Sequence, residues 1–299
     1  MKELKLEMNW KIKSVDIEAV NHIREEFNLP EIYARIMTLR GIRTRLDSRF
    51  FFYTNEDQVH DPFLMKDMDI AVDRVLTQIR NKRTILIFGD YDVDGTTGTA
   101  MLYLFLKSLK ADIYYYIPSR DLEGYGLSQN GIDYAHSIGA DLLISVDCGI
   151  NAFEMVNYAN SLDIDVIITD HHRPDTTLPA AHAILNPNQQ DCPYPFNGLC
   201  GAGVAFKLAL AICETMNIDS ECAWQHADLI ALGTAADLVP ITNENRIIVS
   251  HGLKLIRKCK KPGIEALLKT GGLQNKEITV GRLVFWMAPK INAAGRLGD

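Results

Sequence analysis

Residues 85–95 read Ile85-Leu-Ile-Phe-Gly-Asp90-Tyr-Asp92-Val-Asp94-Gly95. The apolar run at the start has the length and composition of a buried strand, and it ends in alternating aspartates and a glycine. Carboxylates this close repel, and they raise one another's pKa unless a cation offsets them. Spacing at i, i+2 and i+4 past a strand end points them at one small volume. A hard divalent metal, and more than one, at the carboxyl edge of a sheet accounts for the pattern.

The same pattern recurs along the chain. Leu142-Leu-Ile-Ser-Val146 runs into Asp147-Cys148-Gly149, and Val166-Ile-Ile-Thr169 runs into Asp170-His171-His172. A helical stretch, Leu229-Ile-Ala-Leu-Gly-Thr-Ala-Ala236, is followed by Asp237. Together these ends supply Asp, Asp, His and Asp. Carboxylate and imidazole without thiolate suit Mn²⁺, Mg²⁺, Fe²⁺ or Zn²⁺. Two metals roughly 3.5–4 Å apart are the usual device for cleaving phosphate esters. Two competing motifs fail. An EF-hand loop starting at Asp90 needs a bidentate Glu at its twelfth position, which here is Met101. Gly95-Thr-Thr-Gly98-Thr99 lacks the Gly-Lys-Ser/Thr ending of a Walker A loop. Those residues instead read as the start of a helix whose free N–H groups face an anion.

Around these ends, apolar and amphipathic segments alternate. Strands are expected at 84–88, 112–116, 142–146, 165–169 and 182–185, with helices at 96–109, 129–138 and 151–161. Strand–helix–strand repetition gives an α/β fold with a mainly parallel, doubly wound sheet and right-handed crossovers. Residues 1–80 form an N-terminal helical segment, with helices at 15–27, 30–39 and 68–79 and an apolar knot at Phe50-Phe-Phe-Tyr53. Residues 81–240 are the α/β domain. Residues 241–299 are a helical extension leading to a further C-terminal domain. After an irregular loop at 186–200, helices are expected at 201–217, 221–235, 244–258 and 262–269. The closing Ile291-Asn-Ala-Ala-Gly-Arg-Leu-Gly-Asp299 reads as a glycine-rich loop with more protein expected downstream.

The chain has 299 residues, 47% of them hydrophobic and 23% charged, as in an ordinary globular protein. No apolar run reaches membrane-spanning length, and Met-Lys-Glu-Leu-Lys is no signal peptide, so no membrane association is expected. Cys148, Cys192, Cys200, Cys213, Cys222 and Cys259 form no Cys-x-x-Cys pair, which points to free thiols in a reducing cytoplasm. A net charge of −7 argues against a passive nucleic-acid binder but not against an enzyme whose metals offset its carboxylates. Basic residues cluster at Arg40, Arg43, Arg45 and Arg49, and at Lys254, Arg257, Lys258, Lys260 and Lys261. Each cluster reads first as a solvated face.

Asp90-Tyr-Asp-Val-Asp-Gly, Ser145-Val-Asp-Cys-Gly, Thr169-Asp-His-His and Gly233-Thr-Ala-Ala-Asp resemble the four motifs of the DHH phosphoesterase superfamily. Ile117-Pro-Ser-Arg120, Glu123-Gly-Tyr-Gly-Leu-Ser128, Leu185-Asn-Pro-Asn188, Gly201-Ala-Gly-Val-Ala-Phe206 and Asn292-Ala-Ala-Gly-Arg-Leu-Gly-Asp299 resemble its RecJ-type branch of single-strand-specific exonucleases. The similarity runs from about residue 40 to the end. The branch's later C-terminal domains have no counterpart in the sequence.

The resemblance implies a 5′→3′ exonuclease that releases 5′-mononucleotides from single-stranded DNA in repair and recombination, using two Mn²⁺ or Mg²⁺ ions. It implies Asp92, Asp94, Asp147, His171 and Asp237 as metal ligands, with Asp147 bridging. Asp90 is implied as a further motif residue that binds metal or orients its neighbours, and His172 as the histidine facing the scissile phosphate. Arg120 and Arg296 are implied as phosphate contacts. Single-stranded DNA is the expected partner of a monomer, alongside a single-strand-binding protein or a helicase. Tyr125 and Phe196 read first as packing residues, with base stacking the alternative. Small-substrate members of the superfamily, acting on short oligonucleotides, cyclic dinucleotides or pyrophosphate, are the alternative enzymes. Several of them carry a histidine four residues before the middle aspartate, where this chain has Phe88. A non-catalytic scaffold is the third reading; such members have lost motif acids, which are all present here.

Overall fold

The computed structural model describes residues 11–258 and 261–295. The chain divides into two compact units between Tyr53 and Thr54.

The first unit is helical. Helix α1 (Ile17–Phe27) starts where Asp16 accepts the amide of Ala19, and α2 (Glu31–Leu39) follows Pro30. Helix α3 (Arg45–Phe52) was not expected from the apolar knot. It begins at a capping box, in which the Thr44 hydroxyl accepts from the Asp47 amide and the Asp47 carboxylate accepts from Thr44. Val20, Ile23, Ala34, Met37 and Ile42 form the core of this unit. Arg43 and Arg45 pair with Asp16 and Glu26 on its surface.

The second unit carries the sheet. Its elements run α4 (Met68–Asn81), β1 (Thr84–Gly89), α5 (Val93–Ser108), β2 (Ile113–Tyr116), α6 (Gln129–Ser137), β3 (Ala140–Val146), α7 (Phe153–Ser161), β4 (Asp165–Thr169) and β5 (Ala183–Leu185). All strands are parallel, in the order β2-β1-β3-β4-β5. The order reverses between β1 and β3, so the sheet has its switch point there. One face packs Leu86, Phe88, Leu143, Val166 and Ile168 against Ile132, Ala135, Val156 and Ala159 of α6 and α7. The other face is covered by α5 and by α8 (Gly201–Thr215), which meet closely at Gly98, Val146 and Ala202. This is the doubly wound α/β sheet expected, with helices on both faces.

Then come α9 (Glu221–Trp224), α10 (Ala227–Ala236), α11 (Asn243–Lys258), α12 (Pro262–Thr270) and α13 (Val280–Arg282), a π-helical turn at Leu283–Met287, and α14 (Ala288–Ala294). The single helix expected at 221–235 is broken at Gln225 and His226, between α9 and α10. Residues 291–294, expected as loop, are helical. Pro289 sits in the first turn of α14, where its missing N–H costs nothing. Lys207 of α8 and Glu244 of α11 form a buried ion pair at 3.2 Å, and the Tyr194 hydroxyl donates to Glu244 at 2.6 Å. This network ties the loop before α8 to the helical layer and so fixes where α8 begins.

Candidate metal centre

The last rungs of the sheet place the acidic residues in register. Asp90 N donates to Val146 O, Asp147 N to Thr169 O and Asp170 N to Leu185 O. Asp90, Asp147 and Asp170 therefore stand side by side, one residue beyond β1, β3 and β4, next to the switch point. All are buried. Asp147 holds a left-handed backbone (φ 63), a conformation costly for a side-chain-bearing residue and concentrated at functional sites.

The first motif divides its carboxylates between two adjoining groups of side chains. Asp92 caps α5 by accepting the amide of Gly95 at 2.9 Å, so the helix starts at Val93 and Asp94 falls in its first turn. There Asp94 accepts from Gly201 N at the start of α8 and stands beside His171 and Asp237. Oxygens of Asp90, Asp92 and Asp147 lie within 4.8 Å of one another, while Asp94, His171 and Asp237 form a second such group. Asp147 also bridges toward the second group, with Oδ1 at 3.2 Å from His171 Nε2. His171 Nε2 is 3.6 Å from Asp237 and 3.9 Å from Asp94.

Among the described residues, Asp90 Oδ1, Asp147 Oδ1, Asp237 Oδ2 and His171 Nε2 are buried with no hydrogen-bond partner. Burying such atoms unsatisfied costs about 1–3 kcal/mol each, more when charged. Oxygen and imidazole donors gathered this way fit paired hard divalent cations. The electrostatics agree. Burial, then Asp92, pushes Asp90 up to about 6; burial, then Asp94 and Asp92, pushes Asp237 up to about 7. Burial and the surrounding carboxylates raise Asp147 well above the ordinary range, and burial raises Asp94. Burial lowers His171 and keeps its ring neutral and able to ligate.

Asp170 has a different task and was not read from the sequence as a site residue. Its Oδ1 accepts from the amides of His171 (2.7 Å) and His172 (3.1 Å), and lies 2.7 Å from His172 Nδ1. Its Oδ2 accepts from Ile150 N at 3.0 Å. Burial alone would raise Asp170, yet these donors hold it below the ordinary range. In return, its hydrogen bond raises His172. Its position in the row of Asp90 and Asp147 was the available signal. Asn186 and Asn188 were missed as well; their amides hold the carbonyls of His172 (2.9 Å) and His171 (2.5 Å). Tyr125 is neither plain packing nor a bare stacking face. Its hydroxyl donates to the Asp147 carbonyl at 3.1 Å and lies 3.2 Å from His172 Nδ1. Phe196 lies against Gly198.

Arg120 lies outside this cluster. It is exposed, and its guanidinium sits 5.3 Å from the centre of the Tyr91 ring, between the first two aspartates of the motif. Arg296 lies outside the described residues. Gly295, just before it, comes close to the Tyr91 carbonyl, which a Cβ there would approach to 3.3 Å. Five cysteines, Cys148, Cys192, Cys200, Cys213 and Cys222, are free thiols.

A parallel sheet with a carboxylate–imidazole cluster at its switch point defines the class: a doubly wound α/β protein whose strand ends carry groups able to ligate divalent cations. The family model for the N-terminal domain of the DHH family matches residues 84–234, and the chain belongs to the DHH family. It is 39% identical over 290 residues to the single-stranded-DNA-specific exonuclease RecJ of Bacillus subtilis, a match covering 97% of this chain and 36% of that protein. It is 42% identical over 286 residues to the RecJ of Escherichia coli, covering 91% and 48% respectively. The chain thus spans less than half the length of either relative. Among solved structures, RecJ of Thermus thermophilus in complex with Mn²⁺ superposes with a TM-score of 0.76 at 28% identity, covering 94% of this chain and 39% of that one. An exonuclease RecJ bound to manganese gives 0.71 at 34% identity, covering 79% and 59%.

Proposed function

We propose that this chain carries the catalytic α/β part of a metal-dependent exonuclease. It hydrolyses phosphodiester bonds of single-stranded DNA in the 5′→3′ direction and releases 5′-mononucleotides, in DNA repair and recombination. The observation that carries this reading is the convergence of unpartnered buried oxygens and one imidazole nitrogen from four separated segments. The names of the relatives, single-stranded-DNA-specific exonucleases, and the manganese and magnesium in solved RecJ structures support it.

Asp90, Asp92, Asp94, Asp147, His171 and Asp237 would hold two Mn²⁺ or Mg²⁺ ions, with Asp147 shared. Such ions lower the pKa of bound water and offset charge on phosphoryl oxygens. The protein's own groups do the rest. Asp170 fixes His172 with Nδ1 as its donor and favours the imidazolium, so His172 presents a positive charge and an Nε2 proton to a phosphate oxygen. Arg120, with its guanidinium over the Tyr91 ring, offers a two-pronged donor to a neighbouring phosphate. Arg296 belongs to the same proposal by resemblance.

Phe88 separates this reading from the small-substrate one. It is fully buried, stacked on Tyr116 at 5.5 Å between ring centres, and offers no ligand. Action as a monomer, and a single-strand-binding protein or helicase as partners, rest on the resemblance alone. No helix among the described residues is long and apolar enough to cross a membrane, and the free thiols suit the proposed cytoplasmic setting. Digestion of 5′- and 3′-labelled single strands with Mn²⁺ tests the function. Mononucleotides released from the 5′ end are expected; intact strands, or release from the 3′ end, overturn it.

A further inference from the structure

Beside His172 lies a cavity of about 750 Å³ whose walls come from the segments leading into α6 and α7 and from the residues after β4. Tyr125, Asp170 and His172 belong both to this cavity and to the site described above. Apolar surface comes from Leu127, Phe153 and Met155. Two basic side chains face it: His172 and Arg173, the residue after it. The backbone there is fixed, because Asn151 Nδ2 donates to the Arg173 carbonyl at 3.3 Å and Asn151 Oδ1 accepts the Asp175 amide at 3.0 Å. The Arg173 side chain is exposed and has no ion pair or hydrogen bond among the described residues.

A volume of this size, with apolar surface beside polar and charged groups, matches the usual dimensions of a small-ligand site, about 300–1,000 Å³. Such a hollow with a single free guanidinium selects a ligand with a flat ring and one anionic group, because arginine engages phosphate in a bidentate fork. We propose that this cavity is a nucleotide subsite. It takes the ring of one nucleotide against Phe153 and Met155, with Tyr125 at its mouth, and takes that nucleotide's phosphate on Arg173. The inference rests on the nuclease reading for its place in the substrate path. Arg120 follows β2 and Arg173 follows β4, so the two arginines are assigned different phosphates of one strand. The carboxylates of Glu154 and Asp170 in the lining disfavour a second phosphate there.

Titration of the full chain with dAMP and with 2′-deoxyadenosine, without added metal, tests it independently of catalysis. R173A should weaken dAMP binding at least tenfold and leave the nucleoside unaffected, because only the phosphate contact is lost. M155W fills the cavity and should abolish binding of both. On labelled single strands R173A should raise KM, chiefly in low salt. Wild-type dAMP affinity in either variant overturns the proposal, and R173A remains decisive should M155W fail to fold. An inactive wild-type chain that still shows the expected dAMP pattern would overturn the nuclease reading and leave the subsite standing.

Discussion

Asp94 and Gly201, 107 positions apart in sequence, meet at 2.6 Å. The first backbone amide of α8 donates to the Asp94 carboxylate, and Ala202 N donates to the same group at 3.1 Å. A buried carboxylate at a helix N-terminus is stabilised by the free amides and the positive end of the helix dipole. The helical layer thereby holds one half of the candidate metal centre in place, and Asp94 keeps its orientation without a cation.

Gly201 also touches the other half. A Cβ there would lie 2.5 Å from the Asp147 Cβ, closer than real contacts allow. Gly201→Ala should therefore push α8 away from Asp147, cost about 1–3 kcal/mol of stability, as overpacked cores do, and weaken Mn²⁺ binding. Thermal melts with and without Mn²⁺ check both. A variant with unchanged melting and unchanged Mn²⁺ response would contradict the close packing.

The crowded carboxylates set the pH dependence of the cation-free protein. Asp90 and Asp237 are raised from 3.8 to about 6 and about 7. The folded state then binds more protons than the unfolded state between about 4 and 7, so stability falls as pH rises through that window. Melting without metal should drop from pH 5 to pH 8. Added Mn²⁺ should raise the melting temperature more at pH 8 than at pH 5, since protons compete for the same oxygens. A metal-free melting temperature that rises across that range would show that these groups are not raised.

Asp147→Asn removes the shared carboxylate and much of the repulsion while keeping the shape. The variant should melt at or above the wild-type temperature in the absence of metal, lose the stabilisation by Mn²⁺, and lose nuclease activity. His171→Ala should share the last two losses with its fold intact. Calorimetry together with the nuclease assay reads all of this. Wild-type rates from either variant would remove Asp147 and His171 from the centre.

The strands were legible because a parallel sheet buried on both faces demands continuous apolar runs, and β1, β3 and β4 each ended on a charged residue. Asp90, Asp147 and His171 could be picked out just beyond those strands, and Asp237 at the end of the helical run 229–236. The division of the first motif between two groups could not, because it depends on Asp92 being a cap. Recognising that cap would have started α5 at Val93 and turned Asp94 toward α8. Asp170 stood in the same register as Asp90 and Asp147, but register becomes visible only once the strands are paired. Helix α3 was hidden by its aromatic residues, although the Thr44 and Asp47 capping box marked its start. At 291–294 the nearby glycines masked a helical turn begun by Pro289.

Asp170→Asn tests the role given to the unforeseen carboxylate. The asparagine Oδ1 can still accept from the amides of His171 and His172, while its NH2 takes the place of the oxygen that accepts from Ile150 N, so one backbone contact is lost and the other two hold the loop. The charge that favours the His172 imidazolium is lost. The His172 pKa should fall, and the alkaline limb of the activity profile should move to lower pH. Activity near neutrality should drop about 100-fold, the lower end of the range for a positioned proton donor, with Mn²⁺ binding little changed. A uniform loss of activity at every pH, with no shift of the limb, would show that Asp170 acts only in packing.

Arg120→Ala probes the edge of the site away from the ligands. The side chain is exposed on Tyr91, so its loss should leave melting and Mn²⁺ binding at wild-type values. If the guanidinium grips a phosphate, KM for single strands should rise. The slope of log affinity against log salt should flatten by about 0.7, the contribution of one phosphate contact on a single strand. Arg120→Lys keeps the charge but not the fork, and should restore the slope while recovering only part of the affinity. An unchanged slope in Arg120→Ala would assign the residue to covering Tyr91 alone and leave the phosphates to other groups.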